Sequence, residues 1–171
     1  MISRNAYGEL NVEEFRTTRT TSHQGVRISS SSPLIDTDTE FGAQVAKRLA
    51  KEDIVWLTTV NPSGTPQPNP VWFQWADGAF LIFTQPGTPK LRNIAANPRV
   101  SLNLNTNATG GEVNVLTGEA RVDTAGASLA EIEAYVVKYA KGLVDIGMTR
   151  EQFFDDYSVP VRIVPDRLRG F

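Results

Sequence analysis

The stretch NPVWFQWADGAFLIFT, residues 69–84, determines the fold class. β-Branched and aromatic residues fill both halves, and the pair Asp77-Gly78 between them favours the tight turn of a β-hairpin. We therefore predict one strand from Asn69 to Trp75 and a second from Ala79 to Thr84. Strands joined so closely pair antiparallel, so the core is expected to be a sheet of consecutive strands.

The segments on either side of this hairpin extend the sheet and add helices. A capping-box pattern at Thr37–Glu40 begins a helix over about 38–51, and capping boxes at Ser128 and Thr149 begin two more, whose apolar faces carry Tyr135 and Phe153. A short helix is predicted at 90–96. The remaining predicted strands lie at 54–60, 100–105, 113–122 with an interruption at Gly118, and 159–164, ending before Pro165.

The order of these elements predicts a mainly β fold, a small β-barrel with peripheral helices. A doubly wound sheet is excluded because strands and helices do not alternate regularly. The chain also has no GxGxxG or P-loop pattern of glycines to hold a nucleotide.

Composition narrows the possible chemistry. The chain has 171 residues and no cysteine, which removes thiol nucleophiles, disulfides and zinc–thiolate sites. His23 is the single histidine and lies in a polar N-terminal stretch, so histidine-based catalysis is not expected. An enzyme of this composition is expected to bind a cofactor that carries the reactive atom.

Residues 1–35 differ from the rest of the chain, since they are polar and have few apolar anchors. We interpret them either as a flexible extension or as a segment that wraps a partner subunit, and we assign residues 36–171 to one domain. The net charge of -2 gives no general attraction to nucleic acid or to a membrane surface. No apolar run approaches the roughly 20 residues that span a bilayer, so a cytoplasmic protein is expected.

The segment FTQPGTPKLRN at 83–93 is the candidate binding site. Thr88 is a suitable N-cap and Pro89 a suitable first helical residue, which places Lys90 and Arg92 in the first turn. Cations there oppose the helix dipole, whereas a bound anion would be stabilised by free backbone N–H groups and by both cations. The segment predicts a phosphate site, with solvated surface cations as the alternative.

Several pieces of the chain together resemble the pyridoxamine 5'-phosphate oxidase-like split-barrel superfamily. They cover about 38–171 and are similar to its actinobacterial branch of coenzyme F(420)-dependent, flavin/deazaflavin oxidoreductases. The pieces are 55–60, 64–73, 84–93, 97–100 and 167–171. The resemblance implies a split β-barrel that works as a homodimer with each cofactor at the subunit interface.

The resemblance also implies roles for individual residues. Asn69, Pro70, Val71 and Trp72 would line the cofactor ring, Thr84 would sit beside the phosphate, Thr88, Lys90 and Arg92 would hold it, and Arg167 would reach the partner's site. Each has an alternative: Val71 and Trp72 as barrel core, Asn69 as a turn residue, and Arg167 as frayed surface. Flavin mononucleotide (FMN) oxidases of this fold carry basic residues where this chain has 69–73, so the deazaflavin is favoured and FMN is second.

The function that the resemblance implies is hydride transfer from reduced coenzyme F(420) to a small conjugated or aromatic acceptor. Such chemistry depends on orientation and exclusion of water more than on a protein nucleophile. Two alternatives stay open: an FMN-dependent enzyme of the same fold, and a protein that binds a deazaflavin or a tetrapyrrole without turnover.

Overall fold

The computed structural model describes residues 33–171, so most of the predicted extension at 1–35, with His23, lies outside the described residues. The helices are α1 (Glu40–Lys51), α2 (Pro89–Ala96), α3 (Leu129–Asp145) and α4 (Arg150–Asp156). The strands are β1 (Ile54–Val60), β2 (Pro66–Trp72), β3 (Gln74–Ala76), β4 (Ala79–Thr84), β5 (Arg99–Asn103), β6 (Asn114–Val122) and β7 (Val159–Gly170).

The strands form one seven-stranded sheet in the order β2-β1-β5-β6-β7-β4-β3, with antiparallel neighbours throughout. The mainly β fold with peripheral helices is therefore confirmed. Although β2 and β4 are far apart in the strand order, the curled sheet brings them into contact. The space between these two strands holds the candidate site.

The core divides into two clusters. The larger one fills the inside of the curled sheet, where side chains such as Leu57, Phe80 and Leu102 are fully buried. The smaller one is aromatic and lies where α3 and α4 cover β4. Burial of each large apolar side chain contributes about 1.5–3 kcal/mol, so both clusters hold their helices firmly.

The hairpin turn is confirmed, but the first strand is displaced from its predicted bounds of 69–75. Asp77 and Gly78 have φ values of 50° and 75°, as a type I′ turn requires. The extended chain starts at Pro66 and breaks at Phe73, leaving β3 as a three-residue strand. The strand breaks because Phe73 contacts α3, and the residues around Phe73 in the sequence do not indicate this tertiary contact.

Alternate prolines shape the edge strand β2. Pro66, Pro68 and Pro70 lie opposite Val60, Thr58 and Trp56 of β1. Proline has no N–H, so these pairs cannot be the hydrogen-bonded ones, and the proline backbone faces the outer edge. That edge therefore offers carbonyl acceptors at these positions and no donors, which discourages the addition of another strand.

The last strand is longer than predicted, because β7 continues past Pro165 to Gly170. Pro165 lies opposite Gly118, at a bulge in the pairing of β6 with β7. A β-bulge is one of the few places in a sheet that accepts proline. Gly118 is needed there, since an added Cβ would lie 2.2 Å from the Val164 carbonyl oxygen.

Candidate functional site

The start of α2 brings three of the predicted phosphate-binding residues together. Thr88 occupies the N-cap position, but its side chain forms no capping hydrogen bond. Its hydroxyl instead lies 3.5 Å from the Thr84 hydroxyl, and Lys90 Nζ donates to Thr84 Oγ1 over 3.4 Å. Thr84 is buried at the end of β4. Two hydroxyls and one ammonium group therefore converge at this helix start.

Lys90 is a partly desolvated cation. Burial lowers the pKa of Lys90 from its usual value. No carboxylate among residues 33–171 forms an ion pair with Lys90, and the first turn of α2 contains no acidic residue. A bound anion would restore the stabilisation that this ammonium group loses by leaving water.

A cavity of about 370 Å³ extends from Lys90 into the space between β2 and β4. The sheet contributes one wall and α3 and α4, with the turn between them, contribute the other. The lining residues are Ile54, Pro70, Val71, Trp72, Phe83, Thr84, Lys90, Tyr135, Ile146, Phe153 and Tyr157.

Trp72 is held in a fixed orientation at the wall of the cavity. Its ring stacks on Tyr139 with a centroid distance of 4.4 Å and an interplanar angle of 4°. Phe153 lies 5.5 Å from it. Gly142 of α3 permits the approach, because a Cβ there would lie 2.8 Å from the Trp72 ring. The indole is therefore a rigid part of the cavity wall.

Phe73, next to Trp72, is pinned to α3 by its backbone. Its N–H donates to the Tyr139 hydroxyl over 2.7 Å, and its carbonyl accepts from Lys138 Nζ over 2.7 Å. Desolvation lowers the pKa of Lys138 to about 8, against the opposing charges of Asp53 and Glu52. These contacts end β2 at Trp72 and explain the break in the predicted strand.

Tyr135 places a polar group among the aromatic side chains. Only 1% of the residue is exposed, and its hydroxyl has no hydrogen-bond partner among the described residues. Burial raises the pKa of Tyr135 well above its usual value and Tyr139 adds to the rise, whereas the Phe83 backbone, which lies beside the hydroxyl without forming a well-aligned hydrogen bond, opposes it. The phenol therefore stays protonated and can donate a hydrogen bond.

The structure brings some of the predicted site residues into the cavity and leaves others outside its lining. Pro70, Val71, Trp72, Thr84 and Lys90 line it, and Thr88 adjoins Thr84. Asn69, Arg92 and Arg167 do not. The Asn69 amide donates to the Gln67 carbonyl over 3.3 Å, Arg92 is exposed and donates to the Gly87 carbonyl over 2.7 Å, and Arg167 is exposed on β7 opposite Thr117.

Sequence reasoning missed the helical wall of the cavity. Tyr135 and Phe153 were expected on apolar helix faces, and Tyr157 and Ile146 were not singled out. The capping boxes at Ser128 and Thr149 are present as predicted and locate both helices. Which part of the sheet these helices cover depends on tertiary packing, which the local pattern does not encode.

The residues present fit a planar conjugated ring that carries an anionic group. Trp72, Phe83 and Tyr135 offer flat or edge-on aromatic surfaces, and Lys90 with Thr84 offers a cation and a hydroxyl at one end. No group of three or more His, Cys, Asp or Glu side chains within residues 33–171 is arranged to hold a metal ion.

Residues 41–158 match the pyridoxamine 5'-phosphate oxidase family. The chain belongs to this family. The match covers most of the domain and includes β2, β4 and the start of α2, so the residues that line the cavity lie within the matched range. The superfamily that the sequence pieces resembled is thereby confirmed, while the actinobacterial coenzyme F(420) branch stays a prediction.

Solved structures of low sequence identity share the family's fold. An F(420) reductase is 22% identical, with a TM-score of 0.54 over 72% of this chain and 94% of its own. A heme storage protein from Vibrio cholerae is 16% identical, with a TM-score of 0.59 over 77% and 95%. A FAD-binding protein from Mesorhizobium loti is 19% identical, with a TM-score of 0.53 over 74% and 90%.

No curated protein matches the chain significantly by sequence. Within the described part of the chain, the helices are too short or too polar to cross a membrane. The family match establishes both the family and the fold.

Proposed function

We propose that this protein is an oxidoreductase that binds coenzyme F(420) and passes a hydride from it to a small conjugated or aromatic acceptor. The observation that carries the proposal is the aromatic cavity ending at Lys90, a half-buried cation without an acidic partner among residues 33–171. A planar cofactor with a phosphate has this combination of surfaces.

Each lining group has a physical task in this proposal. Lys90 and the hydroxyls of Thr84 and Thr88 hold the phosphate, because charge-assisted hydrogen bonds are the strongest that a protein offers an anion. Trp72 and Pro70 orient the ring, and the covering helices α3 and α4 exclude water from it. The bound cofactor supplies the hydride chemistry.

The proposal extends to residues outside the cavity lining. Arg92 lies in the same first turn of α2 as Lys90, and its guanidinium would have to turn from the Gly87 carbonyl towards the phosphate to take part in binding it. Asn69 precedes the lining residues of β2. Arg167 would contribute from a second copy of the chain, as expected of a homodimer with shared sites.

FMN is the second candidate cofactor. None of the seven residues of β2 is basic, which favours the deazaflavin over a cofactor that needs basic residues on this strand. A heme storage protein and a FAD-binding protein have the same fold, so binding without turnover is the alternative from another class.

Parallel titration of the purified protein with coenzyme F(420), FMN and haemin tests the proposal. We expect coenzyme F(420) to bind with a dissociation constant in the low micromolar range or tighter, about -8 kcal/mol, and FMN to bind more weakly. Equal or tighter binding of FMN would overturn the cofactor assignment. Tight binding of F(420) with no oxidation of its reduced form by any conjugated acceptor would instead indicate a binding protein.

The Lys90→Ala variant tests the phosphate position. A hydrogen bond to a charged group contributes about 1.5–3 kcal/mol, so we expect affinity for the cofactor to fall by roughly 10- to 150-fold at moderate salt. Arg92→Ala is expected to weaken binding too. Lys47→Ala is the matched control, since Lys47 is exposed on α1 and does not line the cavity. Unchanged affinity in Lys90→Ala would place the phosphate elsewhere.

A further inference from the structure

The edge of β4 has an unpaired backbone position that faces the cavity. Phe83 lies opposite Pro160 of β7, and the Pro160 carbonyl accepts from the Asp123 N–H on its other side, over 2.9 Å. Proline has no N–H, so Phe83 and Pro160 form a non-hydrogen-bonded pair. The N–H and carbonyl of Phe83 therefore point away from β7.

No described strand covers Phe83 on that other side. The pairing of β3 with β4 ends at Gln74 opposite Leu81, because the chain turns away at Phe73, where α3 pins it. Continued pairing would have placed Trp72 opposite Phe83. Both residues line the cavity instead, so the missing pairing partner is replaced by open space that a ligand can enter.

Tyr135 stands at the same place. Its ring meets Phe83 edge-on, with centroids 4.9 Å apart, and its buried hydroxyl lies beside the Phe83 backbone, with no well-aligned hydrogen-bond partner for its O–H among residues 33–171. Buried polar groups in proteins nearly always have hydrogen-bond partners, and the exceptions call for an explanation. A ligand inside the cavity would supply one.

Resting on the proposed function, we propose that Tyr135 and the Phe83 backbone together recognise the lactam edge of a planar heterocycle. The Tyr135 hydroxyl donates to a ring carbonyl, and the Phe83 carbonyl accepts from the adjacent ring N–H. A lactam presents these two groups side by side, as the edge of a neighbouring strand would. Trp72, held by its stacking on Tyr139, lines the cavity beside the same ring.

Two phosphate-free probes test this recognition without involving the anion site at Lys90. Lumiflavin has a carbonyl and an N–H on its pyrimidinedione edge, and 3-methyllumiflavin has a methyl group in place of that N–H. Both fluoresce, so quenching on titration gives their affinities. For the wild-type protein we expect 3-methyllumiflavin to bind about tenfold or more weakly than lumiflavin, because the Phe83 carbonyl then loses its donor. Equal affinities would overturn the proposal.

The Tyr135→Phe variant tests the other hydrogen bond. We expect lumiflavin to bind it about tenfold more weakly, while the melting temperature of the free protein stays the same or rises, since an unpartnered buried hydroxyl is removed. A fall in melting temperature with unchanged lumiflavin affinity would show that the hydroxyl has a structural role and would overturn the assignment.

The probes also separate this inference from the proposed function. Binding of lumiflavin with the expected discrimination, in a protein that binds neither coenzyme F(420) nor FMN, would support the lactam site and overturn the proposed cofactors. Binding of those cofactors without any discrimination between the two lumiflavins would support the proposed function and overturn the lactam site.

Discussion

At the scale of single residues, the Tyr139 hydroxyl connects three separate segments of the chain by hydrogen bonds. It accepts from the Phe73 N–H and lies 2.8 Å from the Asp53 carbonyl oxygen, to which it can donate. The hydroxyl oxygen also lies 2.7 Å from the Phe73 carbonyl oxygen, which accepts from Lys138 Nζ as well, so the single O–H can donate to either of the two carbonyls. One phenol thus links α3 to the start of β1 and to the end of β2, and its ring supports Trp72.

Removing this hydroxyl should destabilise the protein. In Tyr139→Phe the buried Phe73 N–H loses its acceptor, so we expect the free energy of unfolding to fall by about 1–3 kcal/mol, while the stacking on Trp72 persists. Urea denaturation measures the change. Tyr157→Phe is the control, because the Tyr157 side chain is only half-buried and its hydroxyl makes no hydrogen bond among residues 33–171. Equal stability of the two variants would show that the Tyr139 hydrogen bonds contribute nothing net.

At the scale of elements, the prolines of β2 keep its outer edge from pairing with another strand. Pro66→Thr with Pro68→Thr restores two outward N–H groups on an exposed edge. We expect the double variant to self-associate at concentrations where the particle mass of the wild-type protein stays constant. Light scattering measures this mass. Gln67→Thr is the matched control, since its N–H faces β1. Unchanged scattering of the double variant would show that the edge is closed by other means.

The elements also show what the sequence could and could not predict. The turn at Asp77-Gly78 and the capping boxes at Ser128 and Thr149 depend on local backbone preferences, and all three were located correctly. The end of β2 at Trp72 and the continuation of β7 past Pro165 depend on α3 and on the bulge at Gly118. Contacts between segments so distant in the chain leave no local pattern.

The same limit applies to the candidate site. Thr84, Thr88 and Lys90 were predicted from one short segment, because a strand end and a helix start fix their positions. Tyr135 contributes from α3, which covers β4 only in the folded chain. Periodicity places its side chain on an apolar face but does not identify the strand beneath it.

At the scale of the whole molecule, Arg162 ties α3 to the sheet. From β7 it donates to Asp123 over 2.5 Å and to Glu131 over 2.7 Å and 3.1 Å. Hydrogen bonds from Arg162, and then from the Ser128 backbone, lower the pKa of Glu131 from 4.5 to about 2. Because the folded-state pKa is the lower one, the stabilisation is fully present above pH 4.5 and is lost as the pH falls towards 2.

Glu131→Gln should therefore remove part of the acid sensitivity of the fold. The shift corresponds to at most about 3 kcal/mol and to less after screening of this partly exposed pair, so we expect a shallower fall in stability between pH 4.5 and 2. Denaturant titrations at several pH values measure the slope. Glu133→Gln, in an exposed ion pair with Arg150, should keep the wild-type slope. An identical slope in both variants would contradict the role assigned to Glu131.

We predict that the whole molecule is a homodimer. Apolar side chains stay exposed on β1, on α3 and after β7, among them Trp56 at 40%, Val137 at 77% and Phe171 at 76% exposure. We expect a second copy of the chain to cover part of this apolar surface, because closed two-fold symmetry is the commonest form of assembly. Light scattering at low micromolar concentration should therefore give twice the 18.8 kDa of one chain.

Arg167 lies outside the lining of its own cavity, so Arg167→Ala can weaken cofactor binding by direct contact only through a second copy. A stable particle of one chain's mass, with cofactor affinity unchanged in Arg167→Ala, would overturn both the dimer and the shared site.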